Sequence, residues 1–234
     1  MSPTAGRDPL DELGSVLTAP GRLRILEELL AGPALPAGAL AARVGLAPST
    51  VSSHLARLAE ARLIRVDRVG RTRLAQLADE EVAEAVEALL RLSGEPSVSS
   101  LSGAHRRTAL RTARSCYDHL AGQVGVALAD AGVRDGWLVT ANGTWGLRDD
   151  TGEHAARALG LRLDLAESAR PLVRPCLDWT ERRPHLAGRL GRAVLDAMLA
   201  DGWVQRRRHD RALKVTPRGR DRLSAVVGEL AIGA

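Results

Sequence analysis

Ser49, Thr50, Ser52 and Ser53 stand just ahead of Arg57, with His54 among them, in the segment Pro48 to Leu58. Residues so grouped do hydrogen-bonding chemistry. Short hydroxyls reach base edges or phosphate oxygens, and a guanidinium adds a charged fork for phosphate or a guanine edge. Arg65, Arg68, Arg71 and Arg73 follow at once, suited to phosphates or a narrow minor groove. Farther on, Cys116, His119, Cys176 and His185 offer two thiols and two imidazoles, donors for zinc or another soft divalent ion.

For the first group to act together it must share one face of one element. At about 100° per residue from Pro48, Val51, Leu55 and Leu58 form a core face. Ser49, Thr50, Ser53 and Arg57 fall opposite, and Ser52 and His54 sit on the flanks. Gly45 supplies the turn ahead, and Pro48 opens the helix where its missing N–H leaves no bond unmade. Upstream, Val16, Leu17, Leu23, Ile25, Leu26, Leu29 and Leu30 mark two helices broken near Pro20-Gly21, and Pro36 to Val44 gives a third. Downstream, Ile64 and Val66 alternate in a hairpin with its tip at Val69-Gly70-Arg71. Asp79 to Leu92 is a helix with Val82, Val86, Leu89 and Leu90 on one stripe. This is the order of a winged helix-turn-helix, a reader helix for the major groove with a basic ribbon beside it. A solvated helix face and a charged ribbon use the same residue types, but turn, helix and hairpin in succession favour DNA. His54, next to the core face, reads as a packed or phosphate-bonding histidine before it reads as a ligand.

Charge supports a shaped contact. Arginine supplies all but one of the 33 basic residues, the exception being Lys214, a bias we ascribe to codon usage. Residues 1–92 are near neutral, whereas Arg57 to Arg73 holds six arginines against Glu60 and Asp67. No apolar run is long enough to span a membrane, and Met1 to Arg7 lacks a signal core. With two cysteines, the expectation is a leaderless chain in a reducing cytoplasm.

Leu46-Ala47-Pro48-Ser49-Thr50-Val51-Ser52-Ser53-His54-Leu55, then Leu58, Leu63-Ile64 and the Gly70-Arg71 tip, resemble the ArsR/SmtB family of bacterial repressors over about residues 10–92. The resemblance implies a homodimer whose outer helices, here Asp11 to Leu17 and Asp79 to Leu92, pair across a two-fold axis. Two reader helices would then meet successive major grooves of an inverted-repeat operator, and an effector would release the DNA. The family's metal sensors carry cysteines before the reader helix, or Asp, His and Glu ligands on the dimer helix. Here no Cys precedes Cys116, and His54 is the only histidine before His105, so metal sensing at those positions is not expected. The remainder resembles longer members with Cys-Tyr-Asp-His and Cys-Leu-Asp-Trp motifs, a likeness that names no effector.

We divide the chain into a DNA-binding and dimerisation domain (1–92), a Ser/Gly-rich linker (93–103) and a regulatory domain (104–234). The last contains a repeat. His119-Leu120-Ala121-Gly122 recurs as His185-Leu186-Ala187-Gly188, and Gly136-Trp137 as Gly202-Trp203. Each copy reads as a helix, a Trp-led strand, a polar loop, a second strand and a helix. The expected fold is mainly α with small β-hairpin wings: a winged helix-turn-helix followed by two helix–wing units packed as one domain.

Leu110, Ala113, Leu120, Val124 and Leu128 suggest one buried helical stripe with Cys116 at its edge and His119 round the side. At the repeat offset the histidines recur but the cysteines do not, which favours paired structural histidines. A metal site, a Cys116–Cys176 redox switch and another ligand role remain open. Gly122, Gly125, Gly188 and Gly191 thin the repeat helices for close helix packing. A ligand cleft lined by Tyr117, Trp137, Trp179 and Trp203 is the alternative. The effector is thus a small molecule, a metal or an oxidant, and DNA binding itself requires no cofactor. A second basic stretch, Arg206 to Arg222, lies on the later hairpin, but the helix before it lacks a polar reading face.

The leading function is a sequence-specific transcriptional regulator, of repressor type, acting as a dimer. The second is a non-enzymatic adaptor or nucleoid-type binder without strong sequence preference. No Gly-rich phosphate loop, nucleophile elbow or close acid pair points to an enzyme.

Overall fold

The protein is described from a computed structural model, in which residues 8–30, 34–93, 101–149, 151–165, 167–207 and 210–228 are placed. The chain divides into two compact units, Met1–Leu90 and Arg91–Ala234. Most of the 93–103 linker segment lies outside the described residues, as do Arg208 and His209 of the second basic stretch, and Leu101–Thr112 is helical.

The first unit runs α1 (Pro9–Leu17), α2 (Pro20–Leu30), α3 (Ala37–Val44), α4 (Pro48–Glu60), β1 (Ile64–Val69) and β2 (Thr72–Leu77). The helix α5 (Glu80–Ser93) follows and runs past the unit's end. Asp8 caps α1 by accepting from the Leu10 N–H. Gly45 ends α3 at φ 68°, a left-handed conformation that glycine adopts without a Cβ penalty, and its N–H donates to the Ala41 carbonyl. Ile25, Leu26, Leu29, Leu40, Val51, Leu58 and Ile64 are buried and fix α4 against α2 and α3. The strands β1 and β2 pair antiparallel from Ile64↔Leu77 to Val69↔Thr72, with Gly70 at φ 61° in the two-residue tip. Leu35 exchanges backbone hydrogen bonds with Ala75 at 2.9 and 2.8 Å, tying the base of the hairpin to the α2–α3 connection.

The second unit opens with α6 (Leu101–Thr112). The order hairpin, helix, hairpin, helix then occurs twice. The first set is β3 (Arg114–Cys116), β4 (His119–Ala121), α7 (Gln123–Arg134), β5 (Leu138–Ala141), β6 (Thr144–Leu147) and α8 (Glu153–Leu159). The second is β7 (Arg174–Leu177), β8 (Pro184–Ala187), α9 (Gly188–Ala200), β9 (Val204–Arg206), β10 (Leu213–Val215) and α10 (Pro217–Val227). Leu120, Val124, Leu128, Leu186, Leu190, Val194, Trp137 and Trp203 share its core.

Three sequence expectations are corrected here. Cys116 and His119 do not share a helix: they face each other across the β3–β4 hairpin, whose tip holds Tyr117 at φ 54°. The apolar stripe from Leu110 to Leu128 is divided among α6 (Leu110), the turn after it (Ala113), β4 (Leu120) and α7 (Val124 and Leu128). Of the four glycines, Gly125 and Gly191 serve contacts of helix with hairpin, whereas Gly122 lies against the last carbonyls of α6 and Gly188 against those of Pro171 and Leu172. A Cβ on Gly125 would lie 2.5 Å from the Leu120 carbonyl oxygen and 3.6 Å from His185 Cβ, and one on Gly191 would lie 2.4 Å from the Leu186 oxygen and 3.2 Å from His119 Cβ. Lastly, Tyr117, Trp137, Trp179 and Trp203 do not line one cleft among the described residues. Trp137 and Trp203 fill the core, Trp179 is half-buried beneath the Arg114 guanidinium, and Tyr117 is exposed at a hairpin tip.

Candidate nucleic-acid interface and buried thiol–imidazole cluster

On α4 the structure separates the two faces as the periodicity requires. Val51 and Leu58 are fully buried, Leu55 is half-buried, and Ser49, Thr50, Ser52 and Ser53 are exposed. Ser52 donates to the Pro48 carbonyl at 2.9 Å, so its hydroxyl is held by its own helix. Arg57 lies along the same exposed side and pairs with Glu60 at 2.9 Å, a contact that a phosphate or base edge would have to replace. His54 is half-buried beside Gly21, where a Cβ would come within 2.8 Å of its Nε2. Burial, and then the Arg22 charge, lower its pKa below the ordinary histidine value. It packs the reader helix onto α2.

Beside this helix, Arg65, Arg68, Arg71 and Arg73 are all exposed on the wing. Arg68 and Arg73 are direct cross-strand partners, so two like charges face each other. Such a pair is unfavourable in isolation and is relieved by an anion between them. Arg68 Nε donates to the Gly70 carbonyl at 3.1 Å, and Arg65 pairs with Asp67 at 3.3 Å. Turn, helix and wing form a polar and cationic surface on a rigid apolar base.

The second unit gathers Cys116, His119, Cys176 and His185 in its interior. The hairpin registers explain why. Cys116 pairs with His119 across β3–β4, and Cys176 with His185 across β7–β8, so each hairpin presents one sulfur and one imidazole. The Sγ atoms are 3.9 Å apart and the Nε2 atoms 3.1 Å apart. His119 Nδ1 lies 3.3 Å from Asp118 Oδ1, and His185 Nδ1 3.7 Å from Asp178 Oδ2.

Asp118 and Asp178 stood in the sequence only as members of the Cys-Tyr-Asp-His and Cys-Leu-Asp-Trp motifs, with no role assigned, and Arg114 and Arg170 were not singled out. Asp118 is paired with Arg170. Asp178, fully buried, accepts from Arg114 Nη2 at 3.1 Å, the Gly122 N–H at 2.6 Å, the Thr180 N–H at 2.8 Å and the Thr180 hydroxyl at 2.6 Å. Burial alone would raise the Asp178 carboxyl, but the Arg114 charge, His185 and these donors outweigh it and hold it well below the usual carboxylate range. Burial likewise opposes a charge on His119, yet the Cys116 sulfur and Asp118 lift it to about 9. Burial and the facing His119 keep His185 well below its ordinary value. The signal that could have found this set is the Cys-x-Asp phrase, present as Cys116-Tyr117-Asp118 and again as Cys176-Leu177-Asp178.

Comparison with known proteins bears on both units. A helix-turn-helix domain family model matches residues 17–67. The uncharacterized HTH-type transcriptional regulator YdfF of Bacillus subtilis (strain 168) is 38% identical over 210 residues, which span 89% of this chain and 92% of that protein. Among solved structures, HlyU of Vibrio cholerae N16961 is 30% identical, covering 37% of this chain and 90% of its own, with a TM-score of 0.34. The cadmium metal-sensor CMTR of Mycobacterium tuberculosis is 37% identical, covering 38% of this chain and 98% of its own, with a TM-score of 0.32.

Proposed function

This chain belongs to the helix-turn-helix transcriptional regulators, and from that premise we propose that it is a dimeric, sequence-specific repressor with an ArsR/SmtB-like winged helix. One observation carries the reading: Ser49, Thr50, Ser53 and Arg57 are presented together on a helix whose opposite face is locked by Val51 and Leu58, with four wing arginines alongside. In this reading α4 enters the major groove, Ser49, Thr50 and Ser53 meet base edges or phosphates near its N-terminus, and Arg57 leaves Glu60 for the DNA. Ser52 and His54 act from the flanks by holding the helix in place. The site of action is the cytoplasm. No described helix is long and apolar enough to cross a membrane.

The test is fluorescence anisotropy against the protein's own promoter and a scrambled duplex at physiological salt. A specific regulator binds the promoter duplex at least about a thousandfold more tightly, whereas equal affinities would establish the unspecific adaptor or nucleoid-type binder instead. Arg57→Ala should cost roughly 1–3 kcal/mol of specific binding; unchanged promoter affinity would remove Arg57 from the interface.

The dimer reading rests on α1 and α5. Leu10, Leu13, Leu89 and Leu92 are exposed there at 74%, 41%, 39% and 85%, an apolar set suited to a second copy of the same helices. Leu10→Asp combined with Leu89→Asp should convert a dimer to a monomer in sedimentation and abolish binding to an inverted repeat. A variant that stays dimeric would place the two-fold contact elsewhere.

The second unit serves, in this proposal, as a regulatory domain made of two related helix–wing copies, its element order and the recurring His-Leu-Ala-Gly and Gly-Trp phrases supporting the duplication.

A further inference from the structure

The geometry points to Cys116, His119, Cys176 and His185 as a Cys2His2 zinc site that clasps the two halves of the second unit. The four ligand atoms lie within 4.8 Å of one another, and each side chain is no more than 5% exposed. Two of their separations are close to edges of a coordination tetrahedron. A tetrahedron with zinc–sulfur bonds of about 2.3 Å and zinc–nitrogen bonds of about 2.0–2.1 Å has sulfur–sulfur edges of about 3.8 Å and nitrogen–nitrogen edges of about 3.3–3.4 Å. The sulfurs here are 3.9 Å apart and the facing nitrogens 3.1 Å. A disulfide requires the sulfurs at about 2.05 Å, well inside the 3.9 Å that separates them here.

The tautomers follow from the surroundings. Both Nε2 atoms point into the cluster, leaving Nδ1 of His119 toward Asp118 and Nδ1 of His185 toward Asp178. For His119 the carboxylate keeps the proton on Nδ1 and frees Nε2 as a donor to metal, whereas His185 Nδ1, 3.7 Å from Asp178, makes no hydrogen bond and meets that carboxylate by charge alone. Arg170 and Arg114 in turn fix the two carboxylates. Asp118 precedes its histidine directly, whereas Asp178 reaches His185 from the β7 side of the second hairpin.

Binding displaces two protons from the thiol–imidazole set to solvent, leaving two thiolates that neutralise the dipositive ion and two neutral imidazoles. Four protein ligands in a buried setting leave no open coordination position, which is the structural and not the catalytic type of site. Each hairpin supplies one sulfur and one nitrogen, so the ion joins β3–β4 to β7–β8, and Gly125 and Gly191 provide the clearance that lets each histidine sit against the helix of the other half.

The full-length protein, purified without added metal, should contain about one zinc per chain by mass spectrometry of the elements. Cobalt exchanged into it should give the visible bands of a tetrahedral ion with sulfur-to-cobalt charge transfer. Cys116→Ser and Cys176→Ser should each abolish that charge-transfer signature or halve it. Asp118→Asn should retain metal with about 10–100-fold weaker affinity, and this milder variant keeps the proposal testable should the cysteine variants fail to fold. A chain that is folded by circular dichroism yet takes up neither zinc nor cobalt overturns the site. So does an intact mass two hydrogens short, with Cys116 and Cys176 recovered in one disulfide-linked peptide.

Discussion

Asp178→Ala should destabilise the second unit by about 3–5 kcal/mol, the loss that follows when one partner of a buried ion pair is removed. Arg114 and Asp178 have side-chain exposures of 3% and 0%, so neither charge is relieved by water. The carboxylate is also an acceptor for two chain segments at once, the Gly122 N–H at the start of α7 and the Thr180 and Glu181 N–H groups in the β7–β8 loop. Its removal takes the acceptor from Arg114 Nη2 and from the Gly122 and Thr180 N–H groups in a site that excludes solvent. The sequence makes the measurement clean. Trp137, Trp145, Trp179 and Trp203 are the protein's only tryptophans and all lie in the second unit, so denaturant unfolding followed by tryptophan fluorescence reports that unit alone. Asp178→Asn, which keeps an acceptor oxygen but no charge, should fall between wild type and Asp178→Ala. Because the folded carboxyl titrates below the unfolded one, the stabilisation is complete at neutral pH and fades as the pH drops beneath the ordinary carboxylate range. An Asp178→Ala midpoint indistinguishable from wild type would refute the structural role of the pair.

The reader helix and the buried cluster differed in how far the sequence disclosed them, and the reason is the range of the interactions. Val51 and Leu58 are one helical face apart from Ser49, Ser53 and Arg57, and a local period of 3.6 residues separates the two groups without any tertiary information. Gly45, Pro48 and Gly70 mark the turns through backbone needs that act within a few residues. The cluster depends on two hairpins of unequal length. His119 and His185 are 66 positions apart, but Cys116 and Cys176 are 60 apart. Aligned at the histidine offset, Cys116 meets Arg182, and the cysteines look unrelated. In three dimensions the longer β7–β8 loop absorbs the difference and both cysteines stand opposite their histidines. The helical reading of Cys116-Tyr117-Asp118-His119 failed for a related reason. Buried residues of a helix end, a short strand and the next helix can mimic one helical stripe, and the positive φ at Tyr117 and Gly122 marks the break. Arg114, buried by a partner distant in sequence, carried no local sign at all.

Replacing Arg68, Arg71 and Arg73 together by alanine should flatten the salt dependence of DNA binding more than any change on the reader helix. Each phosphate neutralised contributes about 0.9 to the slope of log affinity against log salt, so six such contacts in a dimer amount to about 5. Between about 50 and 200 mM salt, that difference makes the variant's affinity vary roughly a thousandfold less than the wild type's. The effect should be equal on promoter and scrambled duplex, because phosphates carry no sequence information. Arg57→Ala is the contrast: a loss concentrated on the promoter, with little change in slope. The free protein gives a reason for choosing these three. Arg68 and Arg73 oppose each other across the strands and Arg71 sits at the tip, whereas Arg65 is already matched by Asp67 and the Ala78 carbonyl. Relief of the Arg68–Arg73 repulsion by a bound phosphate predicts that the variant hairpin is no less stable than the wild type without DNA. A slope that does not move, or a loss confined to the promoter, would show that the wing does not lie along the backbone.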